Sequence, residues 1–340
     1  FTLLDRLTIA RSRKHIEKYY GVAETGRFPE RLKPINIKAD VDLRGTFPPI
    51  RDINLEIRRL NLAAYAPLRY VLPHKQDAYD RKYSTEVKGG TGFFRQVDRE
   101  ESLIHLLRVN ILNRMYSSGV SFALTVERQL RDVEDTLRHI EAQVEELEEI
   151  DIEDVDIEDP AFESLLVGRK VKVLLSDVDI VRWKQDLLED RNRLATLLAA
   201  AREISPERDA KLAGLREIIA NKHRRPINQG NRKVIVFTAF ADTANYLFEQ
   251  LAPWARETLG VESALVTGTG SNKTTLPRLR RDLGSILTAF SPRSKERPEE
   301  LASEGDIDLL IATDCISEGQ NLQDCDWLVN YDIHWNPVRI

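Results

Sequence analysis

The chain has 340 residues, 50 Lys and Arg against 55 Asp and Glu, a net charge of −5 and two cysteines, Cys315 and Cys325. That length allows two or three domains with a sizeable core. Two cysteines exclude a disulfide framework and fit a reducing cytoplasm, while the absence of a membrane-spanning apolar run or signal-peptide pattern argues against membrane insertion or export. The chain opens on Phe1 rather than Met, as expected of a piece of a longer protein. The two cysteines and nearby His334 form no four-ligand zinc pattern, so no metal site is expected. The net charge hides segregation: residues 141 to 159 hold eleven acids and no base, whereas "NKHRRPINQGNRK" (221–233) is basic. An acidic total is compatible with a local basic track.

In chain order, "LLDRLTIARSRKHIEKYYG" reads as a short strand and then a basic helix closed by Gly21. "GRFPERLKPINIKADVDL" reads as an extended crossing, and "NLEIRRLNLAAYAPLRYVLP" as a helix interrupted at Pro67. From about Asp98 the helical signal strengthens. Val126, Leu130, Val133, Leu137, Ile140, Val144 and Leu147 recur every 3.5 residues on average, the period that keeps one apolar seam on a partner helix. "DIEDVDIEDPAF" breaks the tract. A second helix is expected from Asp177 to about Ile204, with Ile180, Leu187, Leu194 and Leu198. A third opens at Ser205-Pro206, with Leu212, Leu215 and Ile219 on one face. A protruding antiparallel coiled coil and ordinary bundle packing both satisfy this pattern.

After the basic segment the period changes. "KVIVFTAF", "VESALVTG", "DIDLLIATD" and "DCDWLVNYD" are apolar runs of strand length. "ADTANYLFEQLAPWARETLG" and "LPRLRRDLGSILTAF", both helix-like, separate the first three. This alternation predicts βαβ units and a parallel sheet whose ligand lies beyond the carboxyl ends of the strands. "VTGTGSNKTT" (266–275) invites reading as a phosphate-binding loop between strand and helix. Setting Lys273 and Thr274 on the required Lys-Ser/Thr puts Thr267 and Asn272 where the motif needs glycines, so the motif is absent. Asp332, ending "WLVNYD", looks like a Mg²⁺-binding acid of a Walker-B strand, but no Glu follows it. We read it as a structural residue at a strand end.

"LLIATDCISEGQNLQDCDWLVNYDIHWNPVRI" (309–340) closely resembles motif V of superfamily 2 helicases, in the form found in bacterial Swi/Snf-like and DEAD/DEAH-box translocases. "KVIVFTAFADTANYLFEQL" resembles motif IV, and "LTIARSRKHI…FPERLKP" looks like the exit from a first helicase lobe. The resemblance implies an α/β fold: a RecA-like parallel sheet, the second helicase lobe, carrying a large α-helical, coiled-coil-like insertion. The implied domains are residues 1–97 (lobe exit and linker), 98–225 (helical insertion) and 226–340 (the C-terminal lobe, truncated before the arginine-finger motif). It implies an ATP-dependent helicase or translocase whose ATP and Mg²⁺ are bound mainly by a first lobe. That lobe would supply the P-loop and Asp-Glu strand, so this fragment alone would be inactive. The expected partner is nucleic acid, taken as double-stranded DNA.

By the same resemblance, Thr238 and Phe240 fall in the motif IV loop and would meet a phosphate backbone, as would Thr269, Ser271 and Lys273 after the next strand. Thr313 and Asp314 begin motif V on the nucleic-acid side. Glu318, Gly319, Gln320 and Asn321 form its turn towards ATP, with Gly319 allowing close backbone approach and Asn321 offering an amide to the ribose. Thr238 and Asp314 also suit helix capping. Cys315 and Ile316 stand where many Swi/Snf enzymes carry a basic residue, which shifts phosphate contact to Lys273, Arg278, Arg224 or Arg225. A different class of function is also open: a protein-interaction module that docks partners through its helical protrusion and acidic tip.

Overall fold

The structure, a computed structural model, describes residue 30 and residues 32–83, 85–86, 93–94, 96–143, 146–148, 171–268, 272–316 and 320–332. The chain divides into two compact units, Phe1–Lys38 and Ala39–Ile340. In the first, the described residues form neither helix nor strand. The strand and basic helix expected at 3–21 lie outside them.

The second unit opens on a clasp. Asp42 accepts the N–H groups of Arg44, Thr46 and Phe47 and both Nε and Nη2 of Arg208, the last at 2.6 Å. Helix α1 (Ile50–Arg59) follows, with acid in its first turn, base in its last, and Ile53 and Ile57 on its buried face. It stops well before Pro67. Leu60 is extended, Leu62 is left-handed at φ 53°, and the N–H groups of Asn61 and Ala63 go to the buried carboxylate of Asp190 at 2.6 and 2.9 Å. Pro67 instead opens a short 3₁₀ turn, where its fixed φ is favourable. The helix break is therefore made by a tertiary hydrogen-bond acceptor and not by proline.

Next come α2 (Pro73–Tyr83), a small antiparallel pair β1 (Thr85–Glu86) and β2 (Phe93–Phe94), and the long helices α3 (Gln96–Ser117) and α4 (Gly119–Glu141). Ser118, extended and capping the N–H of Ser121, divides the single predicted helical tract into these two. The antiparallel strands β3 (Glu146–Glu148) and β4 (Lys172–Leu174) lead to α5 (Ile180–Arg202), and Asp209 caps α6 (Ala210–Arg224). The third predicted helix thus begins at Ala210, later than Ser205-Pro206.

Salt bridges Arg202–Glu127 and Lys184–Glu141 at opposite ends make α4 and α5 antiparallel. The predicted seam is buried at Val126, Val133, Leu137 and Ile140, against a core that includes Trp183, Leu187, Leu194 and Leu198. Leu147, its last member, is buried but on β3, because α4 ends at Glu141; Val144 lies outside the described residues. The same core takes in α1, α3 and residues 60–71, so the helix pair is packed as part of a bundle. Trp183 anchors it, stacking on Tyr70 at 5.6 Å and donating its indole N–H to the Ala63 carbonyl.

The remaining elements are β5 (Val234–Phe237), α7 (Ala241–Leu259), β6 (Ser263–Val266), β7 (Lys273–Thr274), α8 (Leu283–Phe290), β8 (Leu309–Ala312) and β9 (Leu328–Asn330). They form a sheet in the order β7-β6-β8-β5-β9, with β6, β8, β5 and β9 parallel and β7 antiparallel at the edge. Period two along β5 sends Val234 and Val236 to one face, covered by α6 and α7, and Ile235 to the other, covered by α8. Gly260, left-handed at φ 63°, ends α7. All four predicted strands are present. This is a mixed α/β, RecA-like fold with a helical insertion.

Candidate functional site

Four strands leave the parallel sheet in the same direction, so the residues just after them share one edge. Ladder bonds run one residue past the strands and lock these positions together. The N–H of Thr238 donates to Ala312 O at 3.0 Å, that of Thr313 to Val266 O at 3.1 Å, and that of Tyr331 to Phe237 O at 2.8 Å. In sheet order the edge reads Thr267, Thr313, Thr238, Tyr331-Asp332, with the three threonines buried.

Asp332 organises this edge. Its Oδ2 accepts the Thr238 hydroxyl at 2.5 Å and the Ala239 N–H at 2.9 Å, while Oδ1 faces Lys211 Nζ at 3.2 Å. Its strand-end role is structural, as the sequence suggests, and it uses the hydroxyl that the resemblance assigns to a phosphate. Lys211 Nζ also donates to the carbonyls of Tyr116 and Ser117 and lies 3.9 Å from the Tyr331 ring centre. Burial pushes this ammonium below its ordinary range, against the opposing pull of Asp332.

Phe240 directly precedes α7, and its ring is buried under the Arg114 guanidinium at 4.5 Å. Arg114, 1 % exposed, also holds Asp242 at 2.7 Å, Asn110 and Ser121. Ser117 meets Thr243 at 2.7 Å. Neither Lys211 nor Arg114 stands out in the sequence. Both are long cations within helical tracts, and only the packing of α3 and α6 against the lobe brings them to the edge.

The stretch 266–275 does not run from strand into helix. It turns back as β7, antiparallel to β6, with Lys273 opposite Leu265. The helical context expected for this stretch is thereby corrected: the chain needs an edge strand here to cover β6. Lys273 Nζ turns to Asn245 Oδ1 at 2.8 Å and towards Glu249, along α7. Thr269 and Ser271 lie outside the described residues, as do Glu318 and Gly319. Asp314 opens a short 3₁₀ turn, Asp314–Ile316, and the Thr313 hydroxyl points to Cys315 Sγ at 3.5 Å. A Cβ added to Gly268 would stand 3.5 Å from Cys315 Cβ, so the loops after β6 and β8 are neighbours.

Gln320 and Asn321 are exposed and clip onto the turn after α8. Gln320 Oε1 accepts from Lys295 at 2.9 Å, and Asn321 Nδ2 donates to Ser294 O at 3.2 Å. Asp324 caps that turn. Burial alone would raise its carboxyl, but hydrogen bonds from the Ser294 hydroxyl and the Arg293 and Ser294 amides outweigh burial and lower it. The two helices that follow strands carry acid at their N-termini, Asp242 in the first turn of α7 and Asp282 capping α8. The Asp282 carboxylate takes an N–H donor and sits in the positive field at the start of α8; Asp242 sits in that of α7 while pairing with Arg114.

Residues 210–340 match the helicase conserved C-terminal domain. The "Uncharacterized ATP-dependent helicase YqhH" of Bacillus subtilis (strain 168) is 32% identical over 108 residues, which are 32% of this chain and 15% of that protein. The crystal structure of the Pyrococcus furiosus Hef helicase domain aligns at 14% identity and a TM-score of 0.38, covering 85% of this chain and 48% of that one. The chain thus spans a minor part of the curated relative and about half of the solved structure.

Proposed function

From the match of residues 210–340 to the helicase conserved C-terminal domain, we propose that this chain is the C-terminal lobe of a superfamily 2 helicase, serving an ATP-driven, Swi/Snf-like translocase on double-stranded DNA. In this reading the sheet's carboxyl edge lies along the nucleic-acid backbone, and residues 313–321 close against ATP held chiefly by another lobe. The observation that carries it is the edge itself, where Thr238 and Thr313, the first residues after β5 and β8, are hydrogen-bonded to the ends of β8 and β6. Phosphate contact there falls to Thr269 and Ser271, without base reading, since Thr313 is buried with its hydroxyl on Cys315. Lys273 is engaged with α7, so charge neutralisation shifts to exposed arginines such as Arg278 and Arg225. When bound, ATP supplies the free energy of the cycle. Gln320 and Asn321, with Glu318 and Gly319 of the same motif, contact that nucleotide. The acids at the starts of α7 and α8 support placing the phosphates and Mg²⁺ outside this lobe.

Fluorescence anisotropy with a labelled DNA duplex tests this reading. Binding is expected to weaken steeply with salt, by a slope of about 0.9 per phosphate contacted, and to weaken in Arg278→Ala. The chain alone is expected to hydrolyse no ATP, since its sequence holds no Gly-x-x-x-x-Gly-Lys-Ser/Thr motif. Salt-insensitive binding, or protein-dependent ATP hydrolysis, would reject the assignment.

A further inference from the structure

The loop after β5, Thr238–Phe240, is gripped at both ends by the helical layer. At its start, Asp332 takes the Thr238 hydroxyl and the Ala239 N–H, and Lys211 holds Asp332. The same ammonium closes on the Tyr116 and Ser117 carbonyls, among the last of α3, which have no partner within their own helix. At the loop's end, Arg114 covers the Phe240 ring and pairs with Asp242. Arg114 therefore reaches the loop from the end of α3, and Lys211, from α6, ties the loop's Asp332 to the joint where α3 gives way to α4 at Ser118. Ser117 adds a buried hydroxyl bond to Thr243 at the same place. Arg114 is buried and Asp332 largely so, so withdrawing Asp242 or Lys211 leaves a mostly desolvated partner uncompensated.

We propose that Lys211 and Arg114 are positioning residues that fasten the loop after β5 to the α3–α4 joint, so that the helical layer sets how Thr238–Phe240 is presented at the sheet edge. The consequence for nucleic acid rests on the function proposed above; the fastening does not. A shift of α3 relative to α6 would pull Lys211 off its carbonyls, free Asp332 and release the Ala239 N–H. The helical insertion is then a lever on the edge.

Hydrogen–deuterium exchange on the full chain tests this without a ligand. Lys211→Met keeps the apolar stem and removes the charge, and Arg114→Met does the same at the other end. Amides of residues 238–240 are expected to exchange about tenfold faster in either variant, with those of β8 and α5 within about twofold of wild type. Should Arg114→Met not fold, Thr243→Val, which deletes only the hydroxyl's bonds to Ser117 and Ser118, takes its place with the same expectation. Unchanged exchange at 238–240 in Lys211→Met overturns the proposal, and so does equal acceleration of every amide, which marks loss of general stability. A second arm measures affinity for a labelled DNA duplex, expected to fall about tenfold in Lys211→Met. Faster loop exchange with unchanged affinity upholds the fastening and removes the nucleic-acid reading of the loop.

Discussion

Two carboxylates of the second unit titrate in opposite senses. Asp190 is fully buried on α5, and burial raises its carboxyl from 3.8 to about 6, although the N–H groups of Asn61 and Ala63 favour its charged form. The native state then binds a proton more tightly than the unfolded chain. Its contribution to stability is complete below about pH 4 and is lost as pH rises through about 6. Asp42 is the reverse. The Arg208 guanidinium, with the Arg44 and Thr46 donors, holds its carboxyl well below the usual range, so its contribution is present above about pH 4 and lost as pH falls. Urea midpoints measured across this range should separate the two. Asp190→Asn should remove a decline between about pH 4 and 6, and Asp42→Asn should remove a decline below about pH 4. Identical profiles in wild type and variants would show that neither group is perturbed. Neither acid is marked in the sequence, since Arg208 lies far from Asp42, and Asn61 and Ala63 far from Asp190, so these pairings exist only after folding.

At the scale of elements, α6 is bound to the end of the sheet by a buried ion pair. Lys222 is fully buried with its Nζ 2.5 Å from Asp326 Oδ1, just before β9, and Asn228 takes the other carboxylate oxygen. The asymmetry of the pair makes a prediction. Asp326→Ala strands a buried ammonium and should cost about 3–5 kcal/mol. Lys222→Met leaves a carboxylate with some solvent and Asn228, and should cost clearly less by the same urea titration. Equal losses would mean that the pair is not desolvated as drawn. The basic segment 221–233 is thus partly spent on internal contacts: Lys222 on Asp326, Lys233 on the Ile307 carbonyl and Asp308. Charge pattern alone marks it as a basic track. The element types were legible because periods of two and near 3.6 survive in single sequences. Their ends were not, since Ser118, Leu62 and Asp209 stop or start helices through local φ/ψ and distant acceptors.

On the scale of the whole molecule, one apolar core runs from Ile53 to Ala201 and takes in α1, α3, α4 and α5, while α6 gives Leu212, Leu215 and Ile219 to the sheet's core. Removing residues 126–204 as a detachable protrusion would strip the buried faces of α1 and α3. The expected result is loss of a cooperative thermal transition in what remains of 39–125; a retained, undiminished transition would show that the helix pair folds apart from it. Among the described residues, no helix is long and apolar enough to cross a membrane. By itself the sequence determined the four parallel strands, the alternation that makes them parallel, the heptad seam and the helicase-like motifs. Each is written in neighbouring residues, where periodicity and residue type suffice. Only the tertiary structure decided that 266–275 returns as an edge strand, that Asp332 claims the Thr238 hydroxyl, and that Lys211 and Arg114 reach the sheet edge. Those outcomes depend on where remote donors and acceptors come to rest once the core has closed, and no local pattern encodes that.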